Sequence, residues 1–448
     1  MQKNLLELEL DKIYTLNIDD LDMMGRGIAH LNEKTIFVEN ALKDEIVEAK
    51  IINKKSNFYF AITQKVLKQS LFRVNPICPY FSVCGGCDLQ HLAYHQTLNF
   101  KKNQFLINLK KIANLSFKEN EVEVVKSDNE YFYRNKVTFQ VKNINNIARL
   151  CFYKKQSHDF VEIENCFICD KKIATVINYV NQFLKDSKVK AYDEKTKTGL
   201  VKNIVVRIIE NKILLTIVVV KKCFLDVSSL FTNLTNEFLD VGINLNINKS
   251  SKDILSTNFI QLKGNNAIGF NIMNTDQIIT NASFLQVNFN VQDKLYKYVL
   301  SKVYGDVVNA YSGAGLLTCL IAKNLYKSNI VGIEINKEAT KFADKLVQTN
   351  NLSNVKNICG DASEEIKKIE LNDYTLVVDP PRSGLSDEFI KSIMKNPPNT
   401  IIYISCSPQT ICKNLLFLKE KYFIKEIKLF DMFAQTRNVE TVVILNKK

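Results

Sequence analysis

Asp306-Val-Val-Asn-Ala-Tyr311-Ser-Gly-Ala-Gly315-Leu-Leu317 decides the fold. A short β-branched run breaks into a turn holding Gly313 and Gly315, then into an apolar helical stretch, the opening of a strand-turn-helix unit. Downstream, NIVGIE (329–334), YTLVVDP (374–380) and TIIYIS (400–405) repeat the pattern, with helical segments between them. This alternation predicts an α/β fold with a doubly wound sheet of parallel strands. Ligands of such sheets gather at the carboxyl ends of the strands, where Tyr311, Glu334, Asp379 and Cys406 stand.

Without side chains at Gly313 and Gly315, backbone N–H groups can approach a ligand. The third Gly of a dinucleotide fingerprint is absent, which argues against a pyrophosphate cradle. Glu334 follows Gly315 by 19 residues and can accept hydrogen bonds from two ribose hydroxyls. An adenosine without pyrophosphate fits both features, and S-adenosylmethionine is the common cofactor of that kind. Asp361, in CGDAS, is placed either to hold an adenine amino group or to cap a helix.

Upstream the texture differs. Residues 10–67 alternate apolar and polar positions in TIFVEN, EIVEAKIIN and NFYFAITQKVL, with Gly25 and Gly27 marking a tight turn, and predict a small all-β unit. Residues 76–90 form a Cys-rich loop, and Leu98, Phe105, Leu106, Leu109 and Ile112 give 91–113 the spacing of an amphipathic helix. Residues 120–270 are again strand-rich, as in KVTFQV, RLCFYK, NIVVRII and ILLTIVVV.

The chain of 448 residues is 46% hydrophobic and 24% charged, and no apolar run reaches the roughly 20 residues of a membrane helix. Acidic residues in MQKNLLELELDKIY occupy positions where a secretory signal would be basic and then apolar, so a cytoplasmic protein without membrane association is expected. Eleven Cys, an odd number, suit metal binding or catalysis better than a disulfide framework. A net charge of +13 suits a polyanion such as RNA. The excess is local: residues 101–155 carry twelve basic and five acidic side chains, residues 1–60 eight and eleven. No obligate protein partner is evident.

Cys406, in ISCSP, ends a strand and precedes a helix opening at Pro408, and the helix N-terminus is expected to lower its thiol pKa. All four His (His30, His91, His95 and His158) lie in the first 158 residues, so within the C-terminal domain proton transfer falls to a carboxylate. Asp379 is aimed by the two prolines that follow it. Glu440 interrupts an apolar closing strand, where a charge is costly without a role or a partner, and Arg437 is the candidate partner.

SFLQVN (283–288), AYSGAG (310–315), GIEIN (332–336), DPPRSG (379–384), SCSP (405–408) and DMFAQTRNVET (431–441), in this order, resemble the motifs of the RNA uracil-C5 methyltransferases. YRNKVTF (133–139) and NIVVR (203–207) resemble motifs of that family's central domain. The resemblance implies a TRAM β-barrel at 1–68, an iron-sulfur central domain at 75–90 and 118–270, and a class I methyltransferase domain at 91–117 and 271–448. It implies Cys406 as nucleophile and Glu440 as base, with Gln286, Tyr311, Gly313, Gly315, Glu334, Asp361 and Asp379 around cofactor and uracil. Lys43-Asp44 stands where the family pattern has Pro-Gly.

Cys78, Cys84 and Cys87 put three thiols within ten residues, and a four-thiolate site suits either zinc or [4Fe-4S]. Spacing leaves the two open. The resemblance supplies Cys166 as fourth ligand, with Cys169 in reserve, and favours [4Fe-4S] over zinc. The implied function is methyl transfer from S-adenosylmethionine to C5 of a uridine in RNA, with 23S rRNA as partner, through an adduct of Cys406 with C6. Rival readings are a tRNA uridine C5 methyltransferase, an RNA cytosine-C5 methyltransferase and an RNA-binding protein without catalysis.

Overall fold

The computed structural model describes residues 7–369 and 373–448. Residues 1–6, in the expected barrel range, and 370–372, in the expected methyltransferase range, lie outside it. The chain forms two compact units: one runs to Gln104 and takes in Lys154–Ser157 and Gln435–Arg437, and the other holds the remainder.

In the first unit the alternating residues build a six-stranded sheet, in the order Ile13–Asn17, Ile46–Lys55, Phe58–Lys68, Lys34–Glu39, Gly27–Leu31 and Asp20–Leu21. Leu16, Ile36, Val38, Val47, Ala49, Ile51, Tyr59 and Ala61 fill its interior. Gly25 takes φ +79° in a turn where Asp22 Oδ1 accepts the N–H groups of Met24 and Arg26 at 2.8 and 2.9 Å. Gly27 is not part of that turn. It lies within a strand, where a Cβ would come within 2.8 Å of Ile18. Asp44 adopts φ +68°, a left-handed backbone that Gly takes without strain. Buried Glu45 accepts Arg73 Nε at 2.5 Å and Nη2 at 2.8 Å, together with the Leu42 N–H at 2.8 Å, and so holds the chain leaving the sheet.

The second unit contains two large sheets. Seven strands, from Phe160–Glu162 at one edge to Phe259–Gly264 at the other, form the first, with Lys136–Ile144 and Val201–Ile209 paired antiparallel near its middle. Helix Ile173–Asp186 buries Val176, Ile177, Val180 and Leu184 and packs on strand Ile147–Tyr153.

The second sheet has eight strands in the order Val355–Cys359, Ile330–Glu334, Asp306–Ala310, Tyr374–Val378, Thr400–Ser405, Glu440–Lys447, Tyr422–Phe430 and Val122–Val125. The first five are mutually parallel, and Glu440–Lys447 inserts antiparallel beside Thr400–Ser405. Its central strands are buried on both faces, which explains their unbroken apolar runs. Val308, Leu376, Val378, Ile401, Tyr403, Val443 and Leu445 enter one core, while Val307, Val377, Ile402, Ile404, Val442 and Ile444 enter the other.

One element differs from the division expected from sequence. Val122–Val125 falls within 118–270, the range expected for the central domain, yet it pairs in parallel with Tyr422–Phe430 and so extends the methyltransferase sheet. The helix expected over 91–113 spans Tyr94–Ala113, and its Phe105, Leu109 and Ala113 are buried in the core of this sheet. Among the described residues no helix is long and apolar enough to cross a membrane.

Candidate active site

Strand Thr400–Ser405 ends immediately before Cys406, and Ser407 caps helix Pro408–Leu418 by accepting the Thr410 N–H at 3.4 Å. The antiparallel register pairs Ser405 with Thr441. Cys406 follows the one and Glu440 precedes the other, and the charge of Glu440 bears on the Cys406 thiol. On the opposite side, Val378 pairs with Tyr403, so Asp379 follows at the same sheet edge. Three strands therefore converge to bring a thiol and two carboxyls together.

Glu440 is only 2% exposed, and burial, with the nearby Asp379 charge, pushes its pKa well above the usual carboxylate range. Burial likewise raises Asp379. Arg437 does not neutralise Glu440: its Nη1 donates to Asp88 Oδ1 at 2.8 Å and its backbone N–H to Asp88 Oδ2 at 3.1 Å.

The expected lowering of the Cys406 pKa is not found. Half-buried beside two acids, the thiol is pushed up by burial first and then by Glu440 and Asp379, against a downward pull from Arg382. The capped helix end does not outweigh these charges. Arg382 is the cation whose charge bears on both Cys406 and Glu440. It lies within DPPRSG, but spacing gave no reason to aim it at a residue 24 positions later.

The loop carrying Asp379 and Arg382 is fixed by the helix after Cys406. Thr410 Oγ1 donates to the Arg382 carbonyl at 3.0 Å. Asn414 Oδ1 accepts the Leu385 N–H at 3.0 Å and Tyr403 O–H at 2.6 Å, and its Nδ2 donates to the Leu385 carbonyl at 3.2 Å. Gly384 takes φ +80°, where a Cβ would meet Thr410 at 2.3 Å. Neither Thr410 nor Asn414 stands out in the sequence, because their partners are remote in it.

A second group forms at the glycine turn. Tyr311 adopts φ +62°, an uncommon conformation for a bulky residue, and packs against Phe389 with ring centroids 5.6 Å apart. Gly313 has φ +56° and open space where a Cβ would stand. Gly315 serves packing, since its Cβ would come within 2.6 Å of Ala343. Half-buried Glu334 accepts the Gly313 N–H on Oε2 at 2.9 Å and the Asn336 N–H on Oε1 at 2.8 Å, so each oxygen is pre-aimed and keeps a lone pair for a hydroxyl. Asp361 realises the cap alternative, accepting the Ser363 N–H on Oδ1 at 2.8 Å, and its charge also faces Tyr311. Gln286 is buried two residues before Asn288, the N-cap of helix Phe289–Leu300.

Of the metal candidates, Cys78, Cys84 and Cys87 belong to the first unit and Cys166 to the second. Among the described residues, no three His, Cys, Asp or Glu side chains converge as a metal-holding group. The donors nevertheless suit a soft metal. The Cys166 thiol is lowered to about 7, chiefly by a hydrogen bond with Cys169, and Cys84 Sγ accepts the Gly86 N–H at 3.4 Å. By contrast Cys151, Cys319 and Cys412 are buried among apolar residues and their thiols are raised.

An α/β sheet with a carboxylate after a glycine turn, and a thiol near two carboxyls at its edge, is the framework of a class I methyltransferase. The tRNA (uracil-5-)-methyltransferase family model matches residues 93–448 and the TRAM domain model matches 9–63. The chain belongs to this family of S-adenosylmethionine-dependent RNA uracil-5 methyltransferases, with an N-terminal TRAM domain. It is 33% identical to an uncharacterized RNA methyltransferase of Clostridium acetobutylicum, over 97% of each chain. An uncharacterized RNA methyltransferase of Streptococcus mutans is 32% identical over 98% of this chain and 100% of its own. The fold matches the crystal structure of Pyrococcus abyssi tRNA (uracil-54, C5)-methyltransferase in complex with S-adenosyl-L-homocysteine, with a TM-score of 0.76 at 24% identity, over 96% of this chain and 100% of that one.

Proposed function

We propose that this protein methylates C5 of a uridine in 23S rRNA, with Cys406 as nucleophile and Glu440 as base. The observation that carries this reading is the convergence of Cys406, Glu440 and Asp379 at one sheet edge, where both acids bear on the thiol. C5 of uracil is too electron-poor to attack a methyl sulfonium. Addition of the Cys406 thiolate to C6 makes C5 an enolate carbon, which can. S-adenosylmethionine supplies the electrophilic methyl group. Glu440 then removes the C5 proton, and the electron pair released expels the Cys406 thiolate and restores the ring. Arg382 favours the thiolate, and the Asp379 charge raises the proton affinity of Glu440. A paired uridine must be flipped out of its helix to reach this edge.

Gln286, Tyr311, Gly313, Glu334, Asp361 and Asp379 line the cofactor and uracil sites in this proposal, while Gly315 lets the turn pack against Ala343. Glu334→Ala is expected to weaken S-adenosylmethionine binding by about 2 to 4 kcal/mol, because two charge-assisted hydrogen bonds disappear and water replaces them in part. Titration calorimetry checks this, and unchanged affinity removes Glu334 from the site.

Division of the chain at 1–68, 75–90 with 118–270, and 91–117 with 271–448 remains part of the proposal, with Val122–Val125 reassigned to the methyltransferase sheet. Cys78, Cys84, Cys87 and Cys166 are proposed to hold [4Fe-4S], with zinc the rival occupant. Such a group takes no part in methyl transfer. Anaerobically purified protein should be brown and carry about four irons per chain. Colourless protein with one zinc would replace the cluster assignment.

The choice of 23S rRNA rests on the resemblance of the cysteine set. A tRNA substrate is the second reading, favoured by the family's description and by the substrate of the Pyrococcus abyssi enzyme. Nucleoside analysis of rRNA and tRNA, separated from cells with and without the gene, decides between them. Loss of 5-methyluridine from 23S rRNA supports the proposal, loss from tRNA transfers it to the second reading, and loss of 5-methylcytidine rejects both.

A further inference from the structure

Away from the thiol, the seven-stranded sheet carries a group of cations that the reaction does not use. Arg207 and Lys136 are register partners on adjacent strands, and Arg134 lies two residues before Lys136, with its Nε on the Lys136 carbonyl at 2.9 Å. Arg207 is fully buried. Its Nη2 donates to the Ser283 carbonyl at 2.7 Å, while Nε and Nη1 have no partner. Lys136 Nζ donates to the Asn281 carbonyl at 3.2 Å, and Asn135 Nδ2 to the Gln286 carbonyl at 2.9 Å. The group therefore abuts the segment leading to Gln286.

Among the described residues, no carboxylate balances it. Burial pushes Lys136 down to about 8, and the charges that bear on it are Arg207 and Arg134, both like in sign. Burial alone depresses Arg207. Arg134 also faces the Cys166 thiol, so its charge is partly shared with the cysteine set. A guanidinium out of water with unused donors is costly unless an anion approaches. Lys136 and Arg134 are half-buried and so reachable from solvent, with Arg207 behind them.

We propose that Lys136 and Arg134, backed by Arg207, form a binding site for a phosphodiester of the substrate RNA beside the segment that carries Gln286. This rests on RNA as the substrate. A phosphate here would meet donors already held in place by the Asn281 and Ser283 carbonyls, and would anchor the backbone near the cofactor arm while the target base turns into the pocket.

The test is anisotropy of a fluorescein-labelled oligouridylate on the full-length protein with S-adenosylhomocysteine bound, from 50 to 200 mM KCl. Removing one cation that neutralises a phosphate should reduce the slope of log K against log[salt] by about 0.7. Lys136→Gln and Arg134→Gln should each do so and weaken binding severalfold, whereas Lys136→Arg should keep the wild-type slope. Inorganic phosphate is a competitor in the second arm. Slopes unchanged in both Gln variants overturn the site. Phosphate binding that disappears in those variants without any change in RNA slope assigns the cations to a free anion and equally overturns the proposal. Because these are binding readouts, they separate from the proposed chemistry: a wild-type protein that binds oligouridylate here yet makes no 5-methyluridine rejects the reaction and not the site.

Discussion

Cys406→Ala is expected to abolish methylation and to form no covalent protein–RNA species under any condition. Without a thiolate, C6 has no nucleophile and C5 never becomes electron-rich, so the loss should be about 10⁴-fold or more, as for other covalent catalysts stripped of their nucleophile. S-adenosylmethionine should still bind, because Glu334 and the glycine turn lie on other strands. Denaturing gels with labelled RNA check the first point and calorimetry the second. A stable adduct in the Ala variant would remove Cys406 from the reaction.

Glu440→Gln should behave in the opposite way and accumulate an adduct. Glu440 is one of the charges that push the Cys406 thiol up, so its neutralisation makes the thiolate easier to form. Addition and methylation can then proceed, but the C5 proton has no acceptor and the thiolate cannot leave. The product is a methylated RNA–protein species that survives denaturation and requires both RNA and S-adenosylmethionine. Near-normal turnover would show that another group is the base, with Asp379 next to test. A pH profile supplies a second check. Thiol and base both have raised pKa values and both act deprotonated, so wild-type turnover should rise with pH through neutrality. Arg382→Gln removes the cation that lowers the thiol and should move that rise to higher pH.

Much of this site was legible in the sequence because it rests on local signals. A strand ending in Cys406, a lone charge at Glu440 in an apolar strand, and a glycine turn followed by Glu334 each carry their meaning within a few residues. Position was therefore readable, but electrostatics was not. The direction of the Cys406 shift depends on Glu440 and Asp379 arriving from two other strands, and a helix terminus read alone gave the wrong sign. Arg437 was a plausible partner for Glu440 by proximity, yet it pairs with Asp88, 349 residues away. The same limit applies to the fold. Val122–Val125 has nothing in its four residues to say which of two sheets it joins, and the choice is made by Tyr422–Phe430, a strand some 300 residues downstream. Gly315 looked like ligand space and is packing space, because Ala343 comes from the next helix.

Release of tritium from RNA labelled with [5-³H]uridine tests the central claim most directly. Methylation at C5 must displace the hydrogen already there, so the wild-type protein should release one tritium to water for each methyl group incorporated from S-adenosylmethionine, and neither Cys406→Ala nor Glu440→Gln should release any. Methyl incorporation without tritium release, or release only from [5-³H]cytidine, would contradict uridine C5 as the acceptor.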